Sequence, residues 1–305
     1  MCRLLSYVGS PVLLDHLLYA PDSSLLDQTI GARMLHLLNL AGFGMAAWDP
    51  SSHEPAAPFR YRTTQVALFD RNLKALASKI RVGALLAHIR GVPYNPFVQI
   101  NEQNCHPFRF EGAPLAMAHN GDLADFRTMR FDLAPFLAPR FQRYIRGSTD
   151  SEWIHALTVS ALPDPWRMPT PEEVLDAVRH TLGVLAEVRA RHAITRASSV
   201  NLIFCDGETL VATRHTLNPG GGREGQLAGS GGYLSMWYSL GRDYGLHGDE
   251  WRLVGDEAEA DSAIVASEPL TRELDGWREV PEASALVVRK GEDGRRRIEI
   301  HALAA

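Results

Sequence analysis

Apolar residues in this chain fall into short runs, and the first run starts at its second position. Cys2, Leu4, Ser6 and Val8 alternate with Arg3, Leu5 and Tyr7, which predicts a strand buried at least partly on both faces and ending at Gly9-Ser10-Pro11. Leu13 to Leu18 and Ser24 to Leu38 follow no clean period, so loop and short helix are expected there. Leu40 to Trp48, closed by Asp49-Pro50, reads as a glycine-permitted bend feeding a buried strand, and Ser51 to Pro58 as a loop. Leu73, Leu76, Ala77 and Ile80 are spaced for a helix over Arg71 to Ile80. Gly83 to Ile89 is a continuous apolar run of strand length, and Pro114 to Ala118 is another, after the turn residues Glu111-Gly112.

The middle of the chain is more helical. Trp153, Ile154, Leu157 and Val159 predict a helix over Ser151 to Leu162, which Pro163 to Pro169 interrupts. Thr170-Pro171-Glu172-Glu173 is a capping box with proline at the first helical position, opening an amphipathic helix through Val174, Val178, Leu182, Leu185 and Val188 towards His192. Strands over Val200 to Cys205 and Thr209 to Arg214 are joined as a hairpin by Asp206-Gly207-Glu208, with more strands at Ser262 to Ser267, Ala285 to Arg289 and Arg296 to His301. The glycine-rich stretch Asn218 to Gly232 has no strand-to-helix phosphate turn around it, which argues for a mobile surface loop over a nucleotide-binding module. No repeat or compositional linker divides the sequence, so one continuous domain over residues 1–305 is expected, built from two packed sheets with helices outside.

Composition narrows the partners. The 305 residues are 45% hydrophobic and 22% charged, an ordinary globular balance with material for a sizeable core. A net charge of -5 offers no basic stripe for nucleic acid. No apolar run approaches the roughly 20 residues of a membrane span. Small molecules and proteins are the expected partners. The first residues lack the pattern of a secretory signal, and Cys2, Cys105 and Cys205 are a sparse, odd set without metal-ligand spacing. A reduced, cytoplasmic protein with neither disulfides nor a zinc site is expected.

Four stretches carry candidate chemistry. Removal of Met1 would leave Cys2 with a thiol and a free α-amine on one residue, a nucleophile with its own base. Position alone is better explained by a small apolar residue starting a strand. Arg90, in Ala87-His88-Ile89-Arg90-Gly91, stands where a buried strand meets a loop, as a surface ion pair or as a fork for a substrate carboxylate. Asn104-Cys105-His106-Pro107-Phe108 and Ala118-His119-Asn120-Gly121-Asp122 offer an amide side chain and a glycine N–H to an oxyanion, although Asn-Gly after a strand is commonly a turn. Gly147-Ser148-Thr149-Asp150-Ser151-Glu152 begins a helix, where capping alone would account for the composition; the sharper reading gives Asp150 to a substrate ammonium group.

Taken together, these pieces suit an α-amino acid with a side-chain carbonyl, and they resemble the class II glutamine amidotransferase domain of the N-terminal nucleophile hydrolases. The resemblance runs from Cys2 to about Glu152, with further matches in the C-terminal strands. It implies an α+β fold, a four-layer αββα sandwich, in which residues 2–152 bear the motifs and 153–305 complete the layers. It implies Cys2 as nucleophile, Asn120 and Gly121 as oxyanion hole, Arg90 on the α-carboxylate, Asp150 on the α-ammonium with Thr149 beside it, and His106 next to the glutamine pocket. No metal or organic cofactor is implied. Met1-Cys2-Arg3-Leu4-Leu5, the Asn104 and Gly147 stretches and Val265-Ala266-Ser267-Glu268-Pro269-Leu270 are most similar to the stand-alone branch that cleaves γ-glutamyl compounds, which includes the amidotransferase-like subunit of the glutathione-degrading complex and the ergothioneine-pathway γ-glutamyl hydrolase. One departure is Ala41, where the family usually has Asp before Gly-Phe-Gly. Cys105 beside His106 lacks an orienting group of its own and is expected to be a buried small residue. Two alternatives stay open: a glutaminase subunit delivering ammonia to a separate synthase, and a catalytically silent scaffold for a peptidase or synthase partner.

Overall fold

A computed structural model describes residues 2–34, 38–92, 98–220 and 234–303. Among these residues the strands are β1 (Arg3–Leu13), β2 (Phe43–Trp48), β3 (Phe59–Thr63), β4 (Arg81–Ile89), β5 (Ala116–Gly121), β6 (Ser198–Cys205), β7 (Leu210–Arg214), β8 (Thr216–Leu217), β9 (Trp237–Gly241), β10 (Asp243–His247), β11 (Glu250–Val254), β12 (Ser262–Ala266), β13 (Arg278–Glu279), β14 (Ser284–Lys290) and β15 (Arg296–Ala302). The helices are α1 (Leu14–Leu18), α2 (Gln28–Gly31), α3 (Arg71–Ala77), α4 (Phe126–Met129), α5 (Pro139–Gln142), α6 (Asp150–Ala161) and α7 (Pro171–Arg191). One sheet runs β13-β9-β12-β1-β4-β2-β3 and the other β15-β14-β7-β6-β5, with β8 paired to β6; every pairing is antiparallel.

Three apolar clusters define the layers. Leu4, Val8, Ala46, Leu86, Ala118, Ile203 and Leu286 pack between the sheets. The outer face of the β5–β6 sheet is covered by α6 and α7 through Ile154, Leu157, Val178 and Leu185. The outer face of the β1–β4 sheet is covered more thinly, by α1, α3 and the β10–β11 hairpin through Leu14, Leu17, Leu73 and Leu253. This is the expected α+β sandwich. Among the described residues no helix is long and apolar enough to cross a membrane.

Several expected boundaries move. β1 continues past Gly9-Ser10-Pro11 to Leu13, because its register against β4 shifts between Val8 and Val12 and absorbs the turn-like residues as an irregularity. The strand expected over Pro114 to Ala118 instead runs from Ala116 through Gly121, so Asn120 and Gly121 belong to the strand, opposite Asn201 and Val200. The helix expected to Ile80 stops at Ala77, capped at its start by Asp70, whose carboxylate accepts from Asn72 and Leu73 N–H. Thr170 forms the expected capping box with Glu173. The Gly-rich stretch lies outside the described residues from position 221 onward.

Candidate active site

Side-chain alternation carries three of the expected site residues, together with His88, to one place. Leu4 and Val8 of β1, Ala84 and Leu86 of β4, and Ala116 and Ala118 of β5 all face the space between the sheets. Positions two apart share a face. Cys2, His88, Arg90 and Asn120 therefore point into the same inter-sheet space, at the end where β1 begins and β4 and β5 finish.

Cys2 is only partly exposed, and its Sγ lies 3.5 Å from Gly91 O. Burial raises the thiol pKa above its ordinary value; the Arg90 guanidinium opposes that shift and the Asp150 carboxylate adds to it, so both charges lie within electrostatic reach of Sγ. The sulfur is consequently a thiol at neutral pH and needs a base. The backbone around it is fixed by the C-terminal Ser267-Glu268 pair, whose contribution was not legible in the sequence. Leu4 N–H donates to Ser267 Oγ at 3.0 Å and Ser267 N–H to Leu4 O at 3.0 Å, while Arg3 donates to Cys2 O at 3.0 Å and lies 3.6 Å from Glu268.

Arg90 is buried, 6% exposed, and its side chain donates to Gln99 O at 2.9 Å. No carboxylate among the described residues lies within 4.0 Å of it. A buried cation without an anion is costly. Its backbone is clamped at both ends, Arg90 N–H to Gly42 O at 2.8 Å and Ala41 N–H to Arg90 O at 2.9 Å. Ala41, at the departure from the family pattern, is buried and supports Arg90 through its backbone alone. The glycines of Gly42-Phe43-Gly44 make room: a Cβ at Gly42 would stand 2.9 Å from Cys105 Sγ, and one at Gly44 would stand 2.0 Å from His106 O. They let the Cys105-His106 segment lie against β2.

Asn120 is 2% exposed, its Oδ1 has no partner, and its side-chain amide makes no hydrogen bond to a described residue. β5 is an edge strand, and Asp122 N–H donates to Ser199 O. Alternation of an antiparallel ladder then turns the Gly121 N–H away from β6 toward the open edge. Any side chain at 121 would collide with Ser199 O, 1.9 Å from an ideal Cβ. A tight turn would have used these groups locally; here neither is used by a described neighbour.

Asp150 opens α6. Its carboxylate accepts from Leu123 N–H at 2.7 Å and from Ser151 N–H at 2.8 Å, which aims it at the end of β5. Thr149 is the N-cap, accepting from Glu152 N–H at 3.3 Å, so capping does explain Thr149. Asn104, fully buried, joins the stretches: its Nδ2 donates to Gln99 O and Ser148 Oγ, and its Oδ1 accepts from Ser148 N–H. His119 lies on the opposite face of β5 and fixes α6 through Ser151 Oγ at 2.9 Å. Cys105 is wholly buried with its thiol pKa raised by burial, an inert packing residue.

His106 packs edge-on against His88 with ring centroids 4.0 Å apart and Nδ1 atoms at 3.2 Å, and both Nε2 atoms are buried without partners among the described residues. Burial holds both imidazoles well below their ordinary pKa, with Arg90 adding to the shift at His88 and His88 to that at His106. His155, fully buried against Phe110, is lowered by burial to about 3. These histidines are neutral in the folded protein. Below pH 6.5 the unfolded chain binds protons that the folded chain excludes, so stability should fall as pH drops. Each such group costs up to about 1.4 kcal/mol per pH unit in that range. Melting temperature between pH 8 and 5 should decline progressively below about pH 6.5, and H155F should flatten the decline. A constant melting temperature down to pH 5 would contradict the neutral assignment.

Comparison with known proteins identifies the family and the fold. The profile of the class-II glutamine amidotransferases matches residues 42–218. The probable glutamine amidotransferase DUG3 of Saccharomyces cerevisiae is 27% identical over 95% of this chain and 82% of its own length. Among solved structures, a glutamine aminotransferase class-II domain protein from Silicibacter pomeroyi superposes over 100% of both chains with a TM-score of 0.60 at 22% identity. Glutamine phosphoribosylpyrophosphate amidotransferase from Bacillus subtilis covers 99% of this chain with a TM-score of 0.57 at 16% identity, and the match spans 49% of that enzyme. The fold is that of the N-terminal nucleophile glutamine amidotransferases, and the chain belongs to the class-II glutamine amidotransferase family.

Proposed function

We propose that this protein, with Met1 removed, is an N-terminal cysteine amidohydrolase that cleaves the γ-glutamyl amide bond of glutamine or a γ-glutamyl compound. The observation that carries the reading is Arg90, a buried guanidinium with no carboxylate partner among the described residues, facing the same space as the Cys2 thiol. A substrate α-carboxylate supplies the missing anion. Asp150 receives the α-ammonium, and the side-chain carbonyl then lies between Cys2 and the donors of Asn120 and Gly121.

The chemistry follows from the state of the sulfur. Because the thiol is protonated at neutral pH, the α-amine of Cys2 removes its proton as Sγ attacks the amide carbon, and the negative charge gathers on the carbonyl oxygen under the Asn120 amide and Gly121 N–H. The protonated amine returns its proton to the departing nitrogen, leaving a thioester. Water, deprotonated by the same amine, attacks the thioester and releases glutamate. His106 and His88, both neutral and packed together, wall the pocket and take no proton in this scheme.

Removing one preorganised oxyanion donor typically costs about 10² to 10³ in kcat. Asn120→Ala should therefore lower kcat by that order with little change in KM or melting temperature, since no side-chain hydrogen bond to a described residue is lost. A normal kcat with a lowered melting temperature would make Asn120 structural. The proposal as a whole is tested by a panel of glutamine, glutathione and other γ-glutamyl amides, with free glutamate as the readout; absence of glutamate from every substrate would refute it.

A further inference from the structure

A second concavity, about 280 Å³ in volume, borders the Asn104–Pro107 segment through Gln103 before it and Phe108 after it. Four arginines line it: Arg60 and Arg62 from β3, Arg109 after the His106-Pro107 bond, and Arg146 ahead of α6. None of the four has a carboxylate of a described residue within 4.0 Å. Three of them donate only to backbone carbonyls, Arg62 to Pro107 O, Arg60 to Arg109 O at 3.4 Å and Arg109 to Pro114 O at 3.4 Å. Burial and the like charge of Arg60 lower the pKa of both Arg62 and Arg109, and at Arg62 the opposing pull of Glu152 and Glu102 only partly offsets that shift.

The carboxylates nearby relieve the positive charge only in part. Glu152 is occupied by the N–H groups of Arg146 and Gly147, at 3.0 and 2.7 Å. Glu102 and Glu111 are exposed to solvent, as are Arg60 and Arg146, so charge at the rim is screened for both signs and Arg62 and Arg109 are the half-buried cations. Guanidinium forks match carboxylate and phosphate groups in pairs of parallel hydrogen bonds, so converging unpaired arginines select ligands with several anionic oxygens. The volume lies at the lower end of small-molecule sites.

The concavity is distinct from the thiol site. Burial dominates at Cys2, and the side-chain charges felt most strongly there are Arg90 and Asp150, neither of which lines the concavity. Between the two sites runs the packed junction at Gly147, where a Cβ would stand 2.4 Å from Asn104 Oδ1, 2.9 Å from Glu152 Oε2 and 3.1 Å from Gln103 O. We propose that this cavity is a second ligand site, taking a small molecule with two or more carboxylate or phosphate groups.

The test uses the whole protein and reads binding, so it stands independently of the reaction at Cys2. Melting temperature is measured with citrate and, separately, with pyrophosphate, each against sodium chloride at equal ionic strength. At about ten times the dissociation constant a specific ligand should raise it by roughly 2 to 4 °C above the salt control. A response to citrate identifies carboxylate ligands and a response to pyrophosphate identifies phosphates; either supports the site. The R60S/R109S double variant should lose the response while keeping its γ-glutamyl turnover. R60Q/R109Q, which retains more of each side chain, serves if the serine variant does not fold. No rise beyond the salt control with either anion, or the same rise in the folded variant, overturns the proposal.

Discussion

Cys2→Ala should abolish glutamate release, by a factor on the order of 10⁴ or more, with nearly unchanged melting temperature. The side chain is partly exposed and its thiol meets only Gly91 O among the described residues, so little packing is lost. The more informative companion is a protein with an N-terminal extension that resists processing. It keeps the thiol, Arg90 and Asn120 but replaces the free α-amine at Cys2 with an amide, which cannot accept a proton. Since burial keeps the sulfur protonated, loss of the amine should be nearly as damaging as loss of the thiol. Mass spectrometry of each preparation confirms which N-terminus is present. Appreciable turnover by Cys2→Ala would place the chemistry elsewhere; turnover by the extended protein would assign the base to another group.

The same contrast explains what was legible in the sequence. Regular burial wrote itself plainly: the alternation of β1, the apolar run of β4, and the capping box of α7 each predicted their element, because local pattern and packing agree there. The thin outer layer did not. β10 and β11 place Tyr244 and Leu253 on the core and leave Leu246 exposed, so only part of the hairpin carries an apolar signal. β3 is partly exposed and rich in arginine, the composition of an edge strand and a weak hydrophobic pattern.

At the site, the sequence offered residue types but not how much of each residue the fold consumes. Asn120-Gly121 carries the signature of a turn, yet the strand runs through both, and the edge position of β5 frees the Gly121 N–H. Thr149 and Asp150 are adjacent, but Thr149 spends its oxygen on the cap of α6 whereas Asp150 is aimed by Leu123 N–H. The contribution of Ser267-Glu268 depends on β12 pairing with β1, from residues more than 250 positions apart in the sequence. No local pattern encodes such a contact.

Substrate recognition should be strict on the glutamyl side of the scissile bond, and this can be measured with a matched pair of γ-glutamyl and glutaryl anilides. The glutaryl compound lacks both the α-carboxylate and the α-ammonium. Leaving one partner of a buried charged hydrogen bond unpaired costs about 2 to 5 kcal/mol, or roughly 30-fold to several thousand-fold in kcat/KM. Wild-type protein should therefore discriminate against glutaryl anilide by at least that margin. Arg90→Lys should lie near the mild end, because an ammonium keeps the charge but cannot hold both Gln99 O and a bidentate carboxylate. Asp150→Asn should narrow the preference. It should also lower stability modestly, since one of its two oxygens, which accept from Leu123 and Ser151 N–H, becomes a donor. The discriminating quantity is thus the ratio of the two substrates, which a general loss of stability does not move. Equal rates on both anilides by the wild-type protein would remove Arg90 and Asp150 from substrate recognition, even with Cys2 established as the nucleophile.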